Sequence, residues 1–330
     1  MSRKNLIYFF LYCIFYGPLT AQKTGFNQKK WNDDKGNFIN AHGAGILFYK
    51  GTYYLFGEIK KGKTRLVPGQ HWEDYRVDAG GVSCYSSKDL VHWKYESIAL
   101  PPNKTDTSSD IHISRVIERP KVVYNEHSRK FVMWMHIDKE DYSYARLGVA
   151  VSDQPTGPYQ FLQSLRPNGQ ESRDMTVFKD DNGDAYLIYA SENNNTMQVC
   201  QLSDDYLSPK KNYIRILKDQ HREAPAVFKS CGKYYLITSL CSGWDPNPAR
   251  YAVADSMMGD WVQQGNPCAG EDSATTFCSQ STYVLPLANK KDTFIFMADR
   301  WNKTDLQTSG YLWLPMHVKN GRVEIINEAY

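Results

Sequence analysis

Five stretches of the chain share one alternation of polar and apolar residues. Each begins with a polar residue, runs as a short apolar segment, turns, and returns as a segment rich in Tyr, Phe and Leu. This alternation predicts β-hairpins, and turns such as Asp-Asn-Gly and Cys-Gly suit hairpin connections. The hairpins are HGAGILFYKGTYYLFGE from His42, ERPKVVYNEHSRKFVMWMHI from Glu118, DMTVFKDDNGDAYLIYAS from Asp174, EAPAVFKSCGKYYLITS from Glu223 and QSTYVLPLANKKDTFIFMAD from Gln280.

A second pair of strand-like segments follows every hairpin, as in GGVSCYSSKDLVHWKYE and YAVADSMMGDWVQQG. Five four-stranded units in succession predict an all-β fold, a five-bladed β-propeller. The first two hairpins begin furthest apart along the chain, so residues 60–78 and 101–114 are predicted to be loop insertions over one face.

The first strand of every propeller blade lines the central channel, so the residues that begin those strands converge on one mouth of the axis. They are His42, Glu118, Asp174, Glu223 and Gln280. A single acid before a strand is usually a solvated end residue, but three acids in the same structural position predict a functional site.

Composition narrows the class of partner. The formal net charge is +3 and charged residues make up 23%, which is not the strong basic excess of a nucleic-acid-binding protein, so no nucleic-acid partner is expected. Aromatic residues reach 14%, which suits strands and surfaces that stack against sugar rings.

The N-terminus has the layout of a secretory signal peptide. Basic residues precede an apolar run, and small residues precede a predicted cleavage after Ala21. A membrane anchor is the alternative, but the run is shorter than the roughly 20 residues that a span needs. We expect residues 1–21 to be removed and residues 22–330 to form one monomeric propeller domain without a membrane span, exported to the periplasm or the cell exterior.

Six cysteines follow this segment, and Cys268 with Cys278 is the best local candidate for a disulfide, although free buried cysteines are at least as consistent with the spacing. No CxxC spacing, phosphate loop, HExxH motif or nucleophile elbow occurs, and the Asp-Asn-Gly run at Asp181 suits a hairpin turn better than a calcium loop. No metal or cofactor is therefore predicted.

The order and phase of several motifs resemble glycoside hydrolase family 43. These motifs are NAHGAGI, YYLFGE, IERPKV, RDMTVFKDDNGDAYL and REAPAVFK, and they extend over nearly the whole mature chain. More narrowly, the chain resembles the exo-β-1,3-galactanase group of that family. The resemblance implies an inverting hydrolase that releases galactose from the non-reducing end of β-1,3-galactan, such as an arabinogalactan backbone.

The family resemblance also implies roles for individual residues. Family members in general use an Asp base from the first blade, an Asp in the third blade and a Glu acid in the fourth, and here Asp174 and Glu223 match the latter two. The first-blade base is missing, since residues 39–45 read INAHGAG. The galactanase group shares this departure, and its second-blade Glu and fifth-blade Gln are matched by Glu118 and Gln280.

Glycoside hydrolysis requires a proton on the departing oxygen, which makes Glu223 the candidate general acid. Partial burial and the like charge of Asp174 would raise its pKa, whereas Arg222 and Arg173 are expected to pair with other groups because adjacent strand residues face opposite sides.

A neutral amide has no useful proton affinity, so Gln280 is predicted to position the attacking water, with proton transfer through an imidic acid form as one route. Glu118 is then an essential pocket carboxylate; alternatively it is the base itself, or it binds sugar hydroxyls.

Five further residues are candidate sugar contacts: Glu58, His42, Tyr144, Trp244 and Trp301. Each has an ordinary structural alternative, which is an exposed turn position for Glu58, a satisfied buried histidine for His42, and core packing for the aromatic residues.

Two other functions compete with the galactanase hypothesis. The first is a family 43 enzyme for another sugar, an arabinofuranosidase, xylosidase or galactofuranosidase. The second is a non-catalytic propeller that binds glycans, which the missing base would permit.

Overall fold

The computed structural model describes residues 31–70, 72–287, 290 and 292–327, and the predicted signal peptide lies outside them. The strands are β1 (His42–Tyr49), β2 (Thr52–Lys60), β3 (Arg65–Leu66), β4 (Tyr75–Arg76), β5 (Ala79–Ser87), β6 (Lys94–Leu100), β7 (Val116–Asn125), β8 (Lys130–Asp138), β9 (Arg146–Ser152), β10 (Gln160–Leu165), β11 (Met175–Lys179), β12 (Ala185–Ser191), β13 (Thr196–Leu202), β14 (Pro209–Ile216), β15 (Arg222–Ser230), β16 (Lys233–Leu240), β17 (Arg250–Ala254), β18 (Val262–Gln263), β19 (Cys268–Ala269), β20 (Gln280–Pro286), β21 (Thr293–Arg300), β22 (Gly310–Lys319) and β23 (Arg322–Ile326). Short 3-10 turns occupy Pro167–Gly169, Ser273–Thr275 and Leu306–Thr308.

These strands form five blades, which confirms the predicted five-bladed β-propeller. Four blades are four-stranded, in the orders β1-β2-β5-β6, β7-β8-β9-β10, β11-β12-β13-β14 and β15-β16-β17-β18. The fifth is β20-β21-β22-β23, with β19 added in parallel at its outer edge. The inner strands β1, β7, β11, β15 and β20 contact one another in a closed ring. Among the described residues no helix is long and apolar enough to cross a membrane.

The hydrophobic cores lie between neighbouring blades, because each sheet packs one face against the blade before it and the other face against the blade after it. Each of the five clusters of buried apolar residues draws on two adjacent blades. Between the fifth and first blades, Trp31, Trp93 and Trp313 meet edge to face with ring centroids 4.8 to 6.0 Å apart. This aromatic contact joins the segment before β1 to the last blade and closes the ring.

A β-bulge follows the mouth residue in three of the inner strands. Gly43, Arg119 and Ala224 have positive φ angles of 56°, 52° and 54°. The strand register slips at the same places, between His42 and Gly45, between Glu118 and Lys121, and between Glu223 and Ala226. A β-bulge changes the direction of the neighbouring side chains, so the same local distortion sets the orientation of the mouth residues in three blades.

Both predicted insertions lie at the face of the propeller where the inner strands begin. Residues 60–78 carry the short β3-β4 hairpin and reach the fifth blade, where the backbone N–H of Leu306 donates to the Thr64 hydroxyl at 2.9 Å. Residues 101–114 connect β6 to β7 and are held by a hydrogen bond from Asn103 N–H to the Ile111 carbonyl at 2.7 Å. The loops therefore surround the mouth.

The candidate disulfide between Cys268 and Cys278 is absent, and both residues are free thiols. Cys268 is buried in the core between the fourth and fifth blades, whereas Cys278 is exposed with its sulfur 3.7 Å from the Thr275 hydroxyl. The two side chains therefore occupy different environments despite their short separation in sequence.

Gly57 lies where strand β2 of the first blade packs closely against the backbone of the segment before β1. A Cβ atom at Gly57 would lie 2.2 Å from the Ala41 carbonyl carbon, whereas one at the exposed Gly265 would meet nothing within 4 Å. Because the clash is with backbone, we expect Gly57→Ala to lower the free energy of unfolding by at least about 2 kcal/mol. Thermal unfolding of both variants checks this, and an equal midpoint for Gly57→Ala and Gly265→Ala would contradict it.

Candidate active site

Glu223 and Gln280 lie in direct contact at the mouth. The amide nitrogen of Gln280 donates to Glu223 Oε1 at 2.8 Å and to the Ser239 hydroxyl at 3.2 Å. The amide oxygen accepts from Arg119 Nη2 at 2.8 Å and from Trp301 Nε1 at 3.2 Å. Both ends of the amide are thus engaged.

Arg119 ties three blades together at this point. Its Nε lies 2.7 Å from Asp174 Oδ1 of the third blade, and its Nη1 donates to the Ser281 carbonyl of the fifth blade at 3.1 Å. The other Asp174 oxygen accepts from the backbone N–H of Ala224 at 2.9 Å, directly after Glu223. The structure therefore brings Asp174, Glu223 and Gln280 together around one guanidinium.

Glu223 has the electrostatics of a group that keeps its proton. Burial is the main cause that raises its pKa to about 8, and the charge of Asp174 adds to it while Arg119 opposes it. Arg173 donates to the Tyr142 carbonyl at 2.8 Å, and burial together with nearby Arg250 lowers the pKa of Arg222. The cation that reaches this carboxyl is Arg119.

Glu118 lies in a different, cation-rich part of the mouth. Lys60 Nζ lies 3.3 Å from one of its oxygens, His136 Nδ1 lies 3.4 Å from the other, and the Tyr142 hydroxyl is 3.1 Å from both. Burial opposes ionisation, but Lys60, His136 and Arg76 outweigh it and hold the pKa of Glu118 well below its usual range. Glu118 is therefore a buried carboxylate.

Glu58 is part of the same wall and is only 3% exposed, so the exposed-turn alternative is wrong. It pairs with Lys60 at 2.9 Å. Burial raises its pKa to about 7, against the effect of Lys60 and with that of Glu118.

His42 lies behind the pocket wall and has no exposed surface. Its Nδ1 lies 3.0 Å from Asp299 Oδ1, and its ring stacks on Tyr311 at 4.7 Å. Asp299 also accepts from the Gly43 N–H at 2.9 Å. His42 is therefore a buried structural residue, and its prediction as a sugar contact is wrong. The reason is that its side chain on β1 packs against residues of β21 and β22.

The predicted aromatic contacts separate into two groups. Trp244 and Trp301 meet at 5.2 Å, and Lys60 Nζ lies 5.8 to 5.9 Å from both rings, so these two line the mouth. Tyr144 stacks instead against Arg146, 4.4 Å from its ring. Tyr142, two residues earlier, takes the place beside Glu118 because Arg76 holds its ring at 4.2 Å.

A metal ion has a poor site here. Glu118, His136 and Asp174 can bring ligand atoms within 4.8 Å of one another. However, Lys60 and Arg119 already pair with the two carboxylates, and contacts with Asp138 and Glu118 overcome burial and raise the pKa of His136 to about 9. A metal ion at these residues would have to displace the imidazole proton and compete with both cations.

Comparison with known proteins identifies the family. The family model for glycosyl hydrolases family 43 matches residues 45–280. The chain belongs to family 43. A β-D-galactofuranosidase of Aspergillus niger is 31% identical over 246 residues, which cover 68% of this chain and 72% of that protein. The protein is therefore a glycoside hydrolase.

Solved structures of family 43 enzymes share the whole propeller. A β-1,3-galactosidase bound to galactodeoxynojirimycin is 43% identical, with a TM-score of 0.83 and coverage of 92% of this chain and 98% of that one. The exo-β-1,3-galactanase of Phanerochaete chrysosporium, solved with β-1,3-galactotriose, is 37% identical, with a TM-score of 0.79 and coverage of 90% and 65%. That of Clostridium thermocellum is 35% identical, with a TM-score of 0.79 and coverage of 91% and 64%.

Sequence reasoning missed the cations of this family 43 site. Arg119 directly follows Glu118 in IERPKV, as Arg222 precedes Glu223, so a charged pair at a strand start was the available signal. Lys60 could be found only as the residue that ends β2, a strand that runs antiparallel to β1 and therefore ends at the mouth.

We predict that Glu223 titrates with a pKa of about 8 and that Asp174→Asn lowers this value, because the substitution removes a like charge and leaves Arg119 free. NMR of ¹³C-labelled glutamate carboxyls measures the titration. The control is Asp153→Asn, which removes an exposed partner of Lys130 and leaves the Glu223 pKa unchanged. An unchanged or higher value in Asp174→Asn would show that Asp174 does not raise the Glu223 pKa.

Proposed function

We propose that the protein is an exo-acting, inverting β-1,3-galactanase that releases galactose from β-1,3-galactan, with Glu223 as general acid and Gln280 positioning the attacking water. The observation that carries the proposal is a buried carboxyl that keeps its proton, Glu223, beside the amide of Gln280 at the mouth of the propeller. Their 2.8 Å contact is shorter than the roughly 6.5 to 9.5 Å that an inverting site needs between the acid and the group acting on the water, so the proposal requires the two side chains to separate when the substrate binds. Related structures with galactose and β-1,3-galactotriose support the choice of sugar.

Glu223 suits the acid because a general acid must still hold its proton at the pH of the reaction. Its pKa of about 8 keeps it protonated at neutral pH. The paired carboxylate Asp174 touches the backbone beside it and maintains the like charge that raises the pKa. Asp174 is in this proposal the residue that tunes the acid.

Gln280 presents its oxygen away from Glu223, because its nitrogen takes the contact with the acid. That oxygen accepts hydrogen bonds from Arg119 at 2.8 Å and Trp301 at 3.2 Å, which fill both of its lone pairs. A water that donates to this oxygen replaces the longer bond, from Trp301. Such a water needs good placement more than prior deprotonation if the transition state is strongly oxocarbenium-like, and the proton that it loses on bonding to the sugar leaves through the imidic acid form of Gln280.

Glu118 is the alternative base, but its low pKa makes it a weak one. Its charge and its place beside Tyr142 and Lys60 suit recognition of sugar hydroxyls. We therefore assign it the role of an essential pocket carboxylate, with Glu58, Trp244 and Trp301 as further sugar contacts.

The second candidate substrate is a β-galactofuranoside. It is favoured by the similarity to the galactofuranosidase of Aspergillus niger, at 31% identity. Its galactose has a five-membered ring, whereas the galactose units of galactan have six-membered rings. Testing both substrates in the same assay therefore distinguishes the two functions.

We predict that the purified protein releases α-galactose first from debranched β-1,3-galactan and that Glu223→Gln and Gln280→Ala each lower the rate by at least about 10²-fold, since each removes a group acting on the reacting bond. NMR identifies the product and its anomer. Glu271→Gln and Gln264→Ala, both at exposed positions, serve as matched controls.

Three outcomes would contradict this proposal. Release of galactose only from galactofuranosides would show that the substrate is a galactofuranoside. Formation of β-galactose as the first product would show a retaining mechanism. Binding of galactan without turnover would remove the catalytic assignment.

We further propose that the protein is exported, with cleavage after Ala21, and acts as a monomer. In a secreting host the mature chain is expected to begin at Gln22, because small residues precede that bond. Intact mass and N-terminal sequencing measure this, and Ala21→Arg is the control that should block cleavage. Mature protein that retains residues 1–21 would contradict it.

A further inference from the structure

The orientation of the Gln280 amide follows from the chemistry of its neighbours. Arg119 and the Trp301 indole can only donate hydrogen bonds, so the group that faces them must be the amide oxygen. The amide nitrogen then faces Glu223 Oε1 and the Ser239 hydroxyl. The assignment of oxygen and nitrogen, often uncertain for an amide, is here determined by two obligate donors.

This orientation decides which oxygen of Glu223 carries the proton. Oε1 accepts from the Gln280 N–H at 2.8 Å, so the proton of the neutral acid resides on Oε2. With the amide reversed, its oxygen would face Oε1 and would accept the acid's proton in a hydrogen bond. The catalytic proton would then point at Gln280 instead of the departing oxygen.

Arg119 is the stronger of the two donors that hold the amide. Its guanidinium is itself fixed by Asp174 at 2.7 Å and by the Ser281 carbonyl at 3.1 Å, and the residue is 5% exposed. A lysine ammonium has the charge but not the planar fork that serves Asp174, Gln280 and Ser281 together.

We propose that Arg119 is a positioning residue that aims the proton of Glu223 by fixing the orientation of the Gln280 amide. This deepens the proposed function and rests on Glu223 being the general acid. Arg119 exerts this positioning role through Gln280, in addition to the direct effect of its charge on the pKa of Glu223. The other groups that face Glu223 are Asp174 and the Cys241 thiol.

The test compares two substrates that differ in their need for an acid. β-1,3-Galactobiose has a poor leaving group and requires protonation, whereas 2,4-dinitrophenyl β-galactopyranoside has a leaving group that departs without it. For Arg119→Lys and Arg119→Met we expect kcat on galactobiose to fall about 10²-fold, and kcat on the dinitrophenyl substrate to fall at least tenfold less. Glu223→Gln gives the reference pattern for complete loss of the acid.

Two further variants complete the design. Arg215→Lys, on the outer strand β14 of the third blade, alters another Arg–carboxylate pair, the one with Glu192, and should leave both activities unchanged. Ser239→Ala removes the second contact of the Gln280 amide nitrogen, at 3.2 Å, while keeping the Arg119 contacts, so it should show the same substrate preference with a smaller loss. It keeps the proposal testable if the Arg119 variants do not fold.

Equal losses on both substrates, in Arg119→Lys or in Ser239→Ala, would overturn the positioning role and leave Arg119 a structural ion-pair partner. Losses that add fully in Arg119→Lys with Gln280→Ala would overturn it as well, since two residues acting through one amide must be non-additive. If the wild-type protein cleaves neither galactoside, or if Glu223→Gln loses both activities equally, the proposed function fails instead.

Discussion

The structure depends on charge balance at the mouth of a closed ring of strands. Because five inner strands begin at one place, their polar residues are forced into a common, partly dry volume where an unpaired charge is costly. The carboxylates of this volume are Glu58, Glu118, Asp174, Glu223 and Asp299, and its cations are Lys60, Arg76, Arg119 and His136. Each carboxylate must find a cation, find donors, or keep its proton.

The distribution of these cations separates the acids into two kinds. Glu118 shares Lys60 and His136 and is held ionised, and Asp174 pairs with Arg119. Glu223 accepts a hydrogen bond from the neutral amide of Gln280, and Arg119, the cation that acts on it, already pairs with Asp174. Similar carboxyl groups on one ring therefore differ in protonation because their partners differ, which is the usual way that one site obtains both an acid and a carboxylate.

Two glycines of the first blade leave room for Arg119 and Lys121 of the second blade. Added Cβ atoms at Gly43 and Gly45 would lie 3.1 Å from the Arg119 backbone and 2.6 Å from the Lys121 side chain. The glycines of INAHGAG thus make room for the second blade to approach the axis. Burial and the neighbouring Arg119 lower the pKa of Lys121 to about 7, so this side chain carries only about half a positive charge at neutral pH.

The sequence by itself determined the number of blades, the strand pairs and the mouth positions, because alternation and turn residues act over a few neighbours. It also pointed to Glu223, Asp174 and Gln280 as neighbours. Each stands at the start of the first strand of its blade, and the starts of those strands meet at the same end of the propeller axis. Only the tertiary structure decided that His42 is buried, that Tyr142 rather than Tyr144 meets Glu118, and that Arg119 orders the amide. Arg119 and Gln280 are 161 residues apart, and such contacts arise from the approach of whole blades rather than from any local pattern.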